Sequence, residues 1–461
     1  MSENDLSSYH GDIGRAMEVV YKDALEERSG SLAEHFKEGG DYEKAAQYFH
    51  LSARKARRAS AYIEAIAFAR NEVSCLEKSP MSSEVKKRII DARVTLSRFY
   101  QMLNHYSEGK DAVAPVIDLA HGLDYRRPAI YVAMAGYLLW IEERIKDDKE
   151  RQYLTEAKRL ALEENDYLSL WMAYYYEGIT HGWCSEFSQG ESCLAHCIEM
   201  AQLAGDVHGL GVGKHTMALM IYGLDGRIDE ALRCSQEALQ LAIQADDLYL
   251  KGGAYLVHGY ALFLRGSFPD AEENMMLGLG MSQKTDWAGS VMIAFMWLGI
   301  LRSEMGRYRE AQECFDGVVA VHERLRINPS MARVAQIKKV AAGIIGCLDP
   351  VIEEVLNFDI NEIISWLFQG MAAHAMGEIF LHIDDTHMDE AEVWIKKAIE
   401  TNKRYRMPWY LAKDYALYAD FFKKKSDRSQ ARVNLRTAIE IFRQCSADGW
   451  VTKYEEELAR L

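Results

Sequence analysis

Reactive residue types gather at three places in this sequence. Gly209-Leu-Gly211-Val-Gly213-Lys214-His215-Thr216 has the glycine density of a loop that wraps phosphate. A nucleotide-binding loop needs Gly, four residues, Gly-Lys and then a hydroxyl, so that backbone amides cradle the phosphates and the hydroxyl holds magnesium. Counting from Gly213-Lys214 puts His208 at the first glycine and His215 at the hydroxyl. No strand pattern precedes the stretch, so a nucleotide site is rejected. The second cluster is His181, Cys184, Cys193, His196 and Cys197, with Cys193 and Cys197 four residues apart on one helix face. Zinc takes four such ligands, but no CxxC pair occurs and cysteine is also a favoured small core residue. The third, His382-Ile-Asp384-Asp385-Thr-His387, could serve a divalent ion. It falls at a helix corner, where Asp or Thr caps the following helix. Neither cluster is expected to hold a metal.

No Ser-His-Asp arrangement, HExxH, dinucleotide fingerprint or paired-carboxylate site emerges. The expectation is a chain with no catalytic residues and no cofactor. The basic run Arg54-Lys55-Ala-Arg57-Arg58 reads as the solvated end of a helix. A net charge of −15 speaks against nonspecific nucleic-acid binding.

The elements that carry these residues follow from a repeated corner. Gly306-Arg-Tyr308-Arg-Glu-Ala311 returns as Gly266-Ser-Phe268-Pro-Asp-Ala271, as Gly226-Arg-Ile228-Asp-Glu-Ala231 and as Gly40-Asp-Tyr42-Glu-Lys-Ala45. The glycine suits a left-handed helix terminus. The aromatic or Ile plugs the corner, the Ala lets the next helix lie close, and acids such as Asp229 and Glu230 suit a helix start. Ile228, Phe268 and Tyr308 stand 40 residues apart, and steps of 40 or 41 reach Phe187, Asp147 and Tyr106 upstream and Leu348, Met388 and Arg428 downstream. One helical pair is therefore stacked many times. The tetratricopeptide period is about 34 residues, so these hairpins are longer. Armadillo-type repeats match in length but give no reason for the corner. The fold expected is all-α, a right-handed α-solenoid of tetratricopeptide-like hairpins with a period near 40 residues.

The divisions expected are an opening helix within residues 1–30, N-terminal repeats over 31–125, regular central repeats over 126–328, a degenerate repeat over 329–370, and C-terminal repeats with a polar capping helix over 371–461. The opening helix should run over residues 10–27. Composition agrees with an all-α chain: 49% apolar, 27% charged and only 7 Pro in 461 residues. Met1 to Ser8 lacks an apolar run, so no signal peptide is expected. No stretch approaches the roughly 20 apolar residues of a membrane span. Eight scattered Cys suit reduced thiols, and a cytoplasmic location is expected.

In such a solenoid the first helices face a concave groove. Counting back from the corners gives Tyr175, Ile179, Thr216, Met220, Leu256, Tyr260, Met296 and Ile300 as partner-binding candidates. This face is apolar and Met/Tyr-rich, and two readings stand. It is packed core, or it receives an amphipathic helix or an apolar ligand.

The chain also resembles the C-terminal tetratricopeptide region of bacterial proteins that pair a signal-transduction ATPase with a class III adenylate/guanylate cyclase domain. The residues that carry the resemblance are His10-Gly-Asp-Ile-Gly-Arg-Ala16, Leu32-Ala-Glu-His35-Phe36 with Gly40 to Ala46, Ala61-Tyr-Ile-Glu-Ala-Ile66, Asp384 to Ile399 and Ala447-Asp-Gly-Trp450. The resemblance implies a sensing or regulatory arm with a protein partner, of which an ATPase or cyclase module is the kind it suggests. No catalytic residue of that family carries over, because the ATPase and cyclase motifs are absent here. The function expected is a non-enzymatic interaction module of this kind. The alternative is a receptor for a small ligand or peptide in the groove.

Overall fold

A computed structural model describes residues 3–59, 61–348, 359–360, 363 and 365–461. Among them every regular element is helical. The helices are α1 (Glu3–Val20), α2 (Ser29–Glu38), α3 (Tyr42–Arg58), α4 (Tyr62–Lys78), α5 (Ser83–Met102), α6 (Tyr106–Val113), α7 (Ile117–Gly122), α8 (Pro128–Trp140), α9 (Asp148–Glu164), α10 (Tyr167–Trp183), α11 (Phe187–Leu203) and α12 (Val207–Thr216). They continue as α13 (Ile228–Gln244), α14 (Leu248–Arg265), α15 (Phe268–Lys284), α16 (Ala288–Glu304), α17 (Tyr308–Leu325) and α18 (Pro329–Ile345). The last are α19 (Trp366–Ile383), α20 (Met388–Arg404), α21 (Pro408–Lys424), α22 (Arg428–Gln444) and α23 (Asp448–Arg460). The chain is an all-α solenoid of tetratricopeptide-like hairpins, in two compact units. One comprises residues 1–137 and 152–165, the other 138–151 and 166–461.

The corner residues stand at equivalent places. Phe187, Ile228, Phe268, Tyr308, Met388 and Arg428 are each the first residue of a second helix. Before them, Gly40, Gly226, Gly266 and Gly306 have φ between 74° and 96°, as a left-handed terminus requires. Where glycine is missing, Asn104, Ser185 and Ser426 take the same conformation. Ala231, Ala271 and Ala311 are fully buried beneath their corners.

Two expectations need correction. The opening helix ends at Val20 rather than near residue 27, and Val20 is 71% exposed. The pair after Tyr106 is broken at Pro115, where a 3-10 turn separates α6 from α7, because proline supplies no amide for the helical ladder. On the C-terminal helix, α23, Trp450 is completely buried. Residues 349–358 of the degenerate repeat lie outside the described residues; its first helix, α18, is regular.

Within the second unit the chain meets itself at two places with one common spacing. Ser330 donates its backbone N–H to Glu143 Oε1 at 2.9 Å across 187 residues. Trp450 Nε1 donates to the Phe263 carbonyl at 2.9 Å, also across 187 residues. One superhelical turn of this unit therefore takes between four and five hairpins, and successive turns touch. At the second contact the backbones are at their closest: a Cβ on Gly449 would lie 2.5 Å from Gly266 O.

Candidate functional site: a charged cavity

The turn-to-turn contact narrows the groove on one side. Trp450 packs against Phe263, Phe268, Trp409 and Phe442 with ring centroids 5.0–5.7 Å apart. Trp409 Nε1 donates to Leu264 O at 3.0 Å. Behind this aromatic seal lies a cavity of about 300 Å³ lined by α16, α18, α19, α21 and α23, with Tyr308 and Asn402 from the second helices.

Its wall is ionic. Glu304, in the last turn of α16, receives Lys413 Nζ on one oxygen at 2.6 Å and Lys453 Nζ on the other at 2.9 Å. Lys413 also donates to the Tyr454 hydroxyl at 3.1 Å. Burial pushes the Glu304 carboxyl up, but the two ammonium groups hold it down at about 2. Lys413 is raised in turn: burial works against its charge and Glu304 outweighs it. Removing either lysine would leave the largely buried Glu304 carboxylate without part of its compensation.

The second group centres on His374 and Glu378, four residues apart on α19. His374 Nδ1 lies 2.7 Å from Asp414 Oδ1, and Nε2 lies 3.5 Å from Glu378 Oε1. Asn402 Nδ2 donates to the other Asp414 oxygen at 2.6 Å. Burial pulls the imidazole down, yet Glu378 and Asp414 raise it to about 9. Glu378 is lowered against its own burial by Lys338 and His374, whereas burial dominates at Asp414 and raises it. Lys338 Nζ approaches Glu378 Oε2 only to 3.8 Å, too far for a hydrogen bond.

One polar atom on the wall lacks a partner. Asn402 Oδ1 is buried without a hydrogen bond, whereas the buried Tyr410 and Tyr260 hydroxyls face one another. Such an orphan is uncommon in folded proteins. Ser303, the hydroxyl nucleophile among the described lining residues, is occupied in donating to Gly299 O at 3.0 Å.

Of the partner-binding candidates, Ile300 lines the cavity. Tyr260 lies behind Tyr410. Ile179, Thr216, Leu256, Tyr260, Met296 and Ile300 are buried in the packed hairpins. Tyr175 and Met220 are half-buried, and Tyr175 lies against Thr216. The residues that make the wall ionic (Glu304, Lys338, His374, Glu378, Lys413, Asp414 and Lys453) were not among the candidates.

The three sequence clusters resolve differently. The glycine-rich stretch is the body of α12, and its glycines serve close packing. Added Cβ atoms would meet Trp171 at Gly209, Leu250 at Gly211 and Ile198 at Gly213, each within 2.8 Å. Lys214 is paired with Glu237 at 2.6 Å. Asp384 Oδ1 accepts from Thr386 N and Oγ1 at 2.7 Å and lies 2.8 Å from His387 Nδ1, which is a local turn. In the Cys/His cluster, Cys184 and Cys197 are buried, and His196 stacks on Tyr174. His181 and Cys193 come together with Glu177, which the sequence reading did not include.

Fold and wall together define a tetratricopeptide-like helical-repeat protein. No family model and no curated protein matches the sequence. Among solved structures, a Rap protein in complex with Competence and Sporulation Factor is similar over 84% of this chain and 99% of its own, with a TM-score of 0.52 and 12% identity. A signal-transduction ATPase with a tetratricopeptide sensor, from Pyrococcus horikoshii, is similar over 87% of this chain and 55% of its own, with a TM-score of 0.42 and 14% identity. Yeast Tom70 is similar over 95% of this chain and 96% of its own, with a TM-score of 0.36 and 11% identity. At these identities the likeness concerns the fold alone. Among the described residues no helix is long and apolar enough to cross a membrane.

Proposed function

We propose that the chain is a non-enzymatic regulatory module that senses a small polar ligand or a peptide end in the cavity of its second unit and acts on a protein partner. The observation that carries this reading is the ionic wall in which Asn402 Oδ1 lies buried without a partner. A ligand that supplied a donor there would add the hydrogen bond that this oxygen forgoes. The wall carries both signs of charge, so a zwitterion or a peptide terminus fits it better than a purely apolar molecule. The Rap protein, of the same fold, is in complex with a factor, and a comparable use of the fold supports a receptor role here. The partner proposed is a signalling ATPase or nucleotide cyclase, on the strength of the sequence resemblance, in the cytoplasm. A thermal-shift screen of amino acids and short peptides tests the sensing half. A hit should raise the melting temperature of the wild type and lose that effect in Asn402→Ala. A hit whose effect survives that substitution, or no hit beside a stoichiometric protein partner in pull-downs, would leave a plain scaffold instead.

A further inference from the structure

We propose that Glu177, His181 and Cys193 form a zinc site that clamps α10 to α11. The ligand atoms of the three residues lie within 4.8 Å of one another. A tetrahedral zinc with bonds of about 2.0–2.3 Å holds its ligands roughly 3.5 Å apart. One edge already has that length, with Cys193 Sγ 3.6 Å from Glu177 Oε2. Closing the others takes side-chain shifts of about 1 Å, which half-buried Glu and His side chains make readily.

The support around the site is of the kind that metal ligands receive. His181 Nδ1 lies 2.7 Å from Glu186 Oε2, and the other Glu186 oxygen takes Lys146 Nζ. A carboxylate on one ring nitrogen fixes the ring and leaves Nε2 as the ligand atom. Glu177 and His181 are four residues apart on α10, so both project from one face toward Cys193 on α11. On binding, the Cys193 S–H bond breaks, its proton goes to solvent, and the sulfur electron pair forms the bond to zinc. With one carboxylate, one thiolate and one neutral imidazole, the complex carries no net charge, which suits a half-buried position. Three protein ligands leave the fourth position to water.

Cobalt binding tests this on the full chain after chelator treatment. The expected result is one cobalt per chain with a thiolate-to-cobalt charge-transfer band, displaced by zinc. Cys193→Ser should abolish the band, and Glu186→Gln should weaken binding roughly 10- to 100-fold without removing it. Cys347, the exposed thiol, supplies the control, because Cys347→Ser should leave the band intact. Circular dichroism establishes that each variant is folded. A wild type that binds no cobalt, or a band that persists in folded Cys193→Ser, would overturn the assignment.

Discussion

Trp450 is central to the turn-to-turn contact, and its replacement has a calculable effect. Its side chain is completely buried and packs against five aromatic rings. Truncating such a residue to alanine costs about 3–5 kcal/mol through lost transfer energy and the void left behind. The lost hydrogen bond adds little more than about 1 kcal/mol, because Phe263 O still accepts from Gly266 N at 2.9 Å. Trp450→Ala should therefore weaken the docking of α23 by about 4–6 kcal/mol. Trp450→Phe keeps most of the ring packing and should cost about 1–2 kcal/mol. A chain of two units need not melt in one step, so global melting is a poor readout. Hydrogen exchange of the α23 amides reports the local opening directly. At about 1.4 kcal/mol per factor of ten, protection in α23 should fall by roughly three powers of ten or more in Trp450→Ala, and by about one in Trp450→Phe. Unchanged α23 protection in Trp450→Ala would show that the seal is not what holds the turn closed. Equal losses in the two variants would place the energy in the hydrogen bond and refute the packing estimate.

Two further outcomes follow from the same unit. Gly449→Ala would set its Cβ 2.5 Å from Gly266 O and should destabilise α23 docking by about 1–3 kcal/mol in the same exchange experiment; Gly280→Ala, with nothing within 4 Å, should be neutral or stabilising by about 0.5–1 kcal/mol. The folded pKa of His374 is raised from 6.5 to about 9, so its contribution to stability is complete below pH 6.5 and is lost as pH rises toward 9. The fall in stability across that window should be shallower in His374→Gln, as measured by denaturant titration at successive pH values.

The corners were legible because their chemistry is local. A left-handed terminus, an aromatic plug and a small residue three positions on can be read from six residues, and the structure sets Phe187, Ile228, Phe268 and Tyr308 at equivalent bends. The role of Trp450 was not legible, because its partners lie 187 residues away and its own neighbours, such as Glu455 and Glu456, look like those of any polar terminal helix. Glu177 escaped notice as a possible ligand for a similar reason, since a glutamate on a helix reads as solvated until a neighbouring helix brings a thiol to it.

The ionic wall was missed through a shift of register, and the shift can be located. Met296 and Ile300 stand eight and twelve residues beyond Ala288, the first residue of α16. Eight and twelve residues beyond Trp366, the first residue of α19, stand His374 and Glu378. The face chosen in the sequence is thus the face that lines the cavity. Two steps of forty from Met296, however, arrive at Met376, two residues past His374 and some 200° around the helix. The reason lies in the helix starts: α16, α18, α19 and α21 begin at 288, 329, 366 and 408, so the step into α19 is short and the step out of it long. The period that reveals the fold fails at the one irregular repeat, and the charged positions lie on and just beyond it. Counting from each helix start instead brings Lys338, His374, Glu378 and Asp420 onto the face that carries Ile300, and all five line the cavity. In a repeat array with a degenerate member, inward-facing charges have to be sought by position within each helix, because burial and pairing, not periodicity, make them informative.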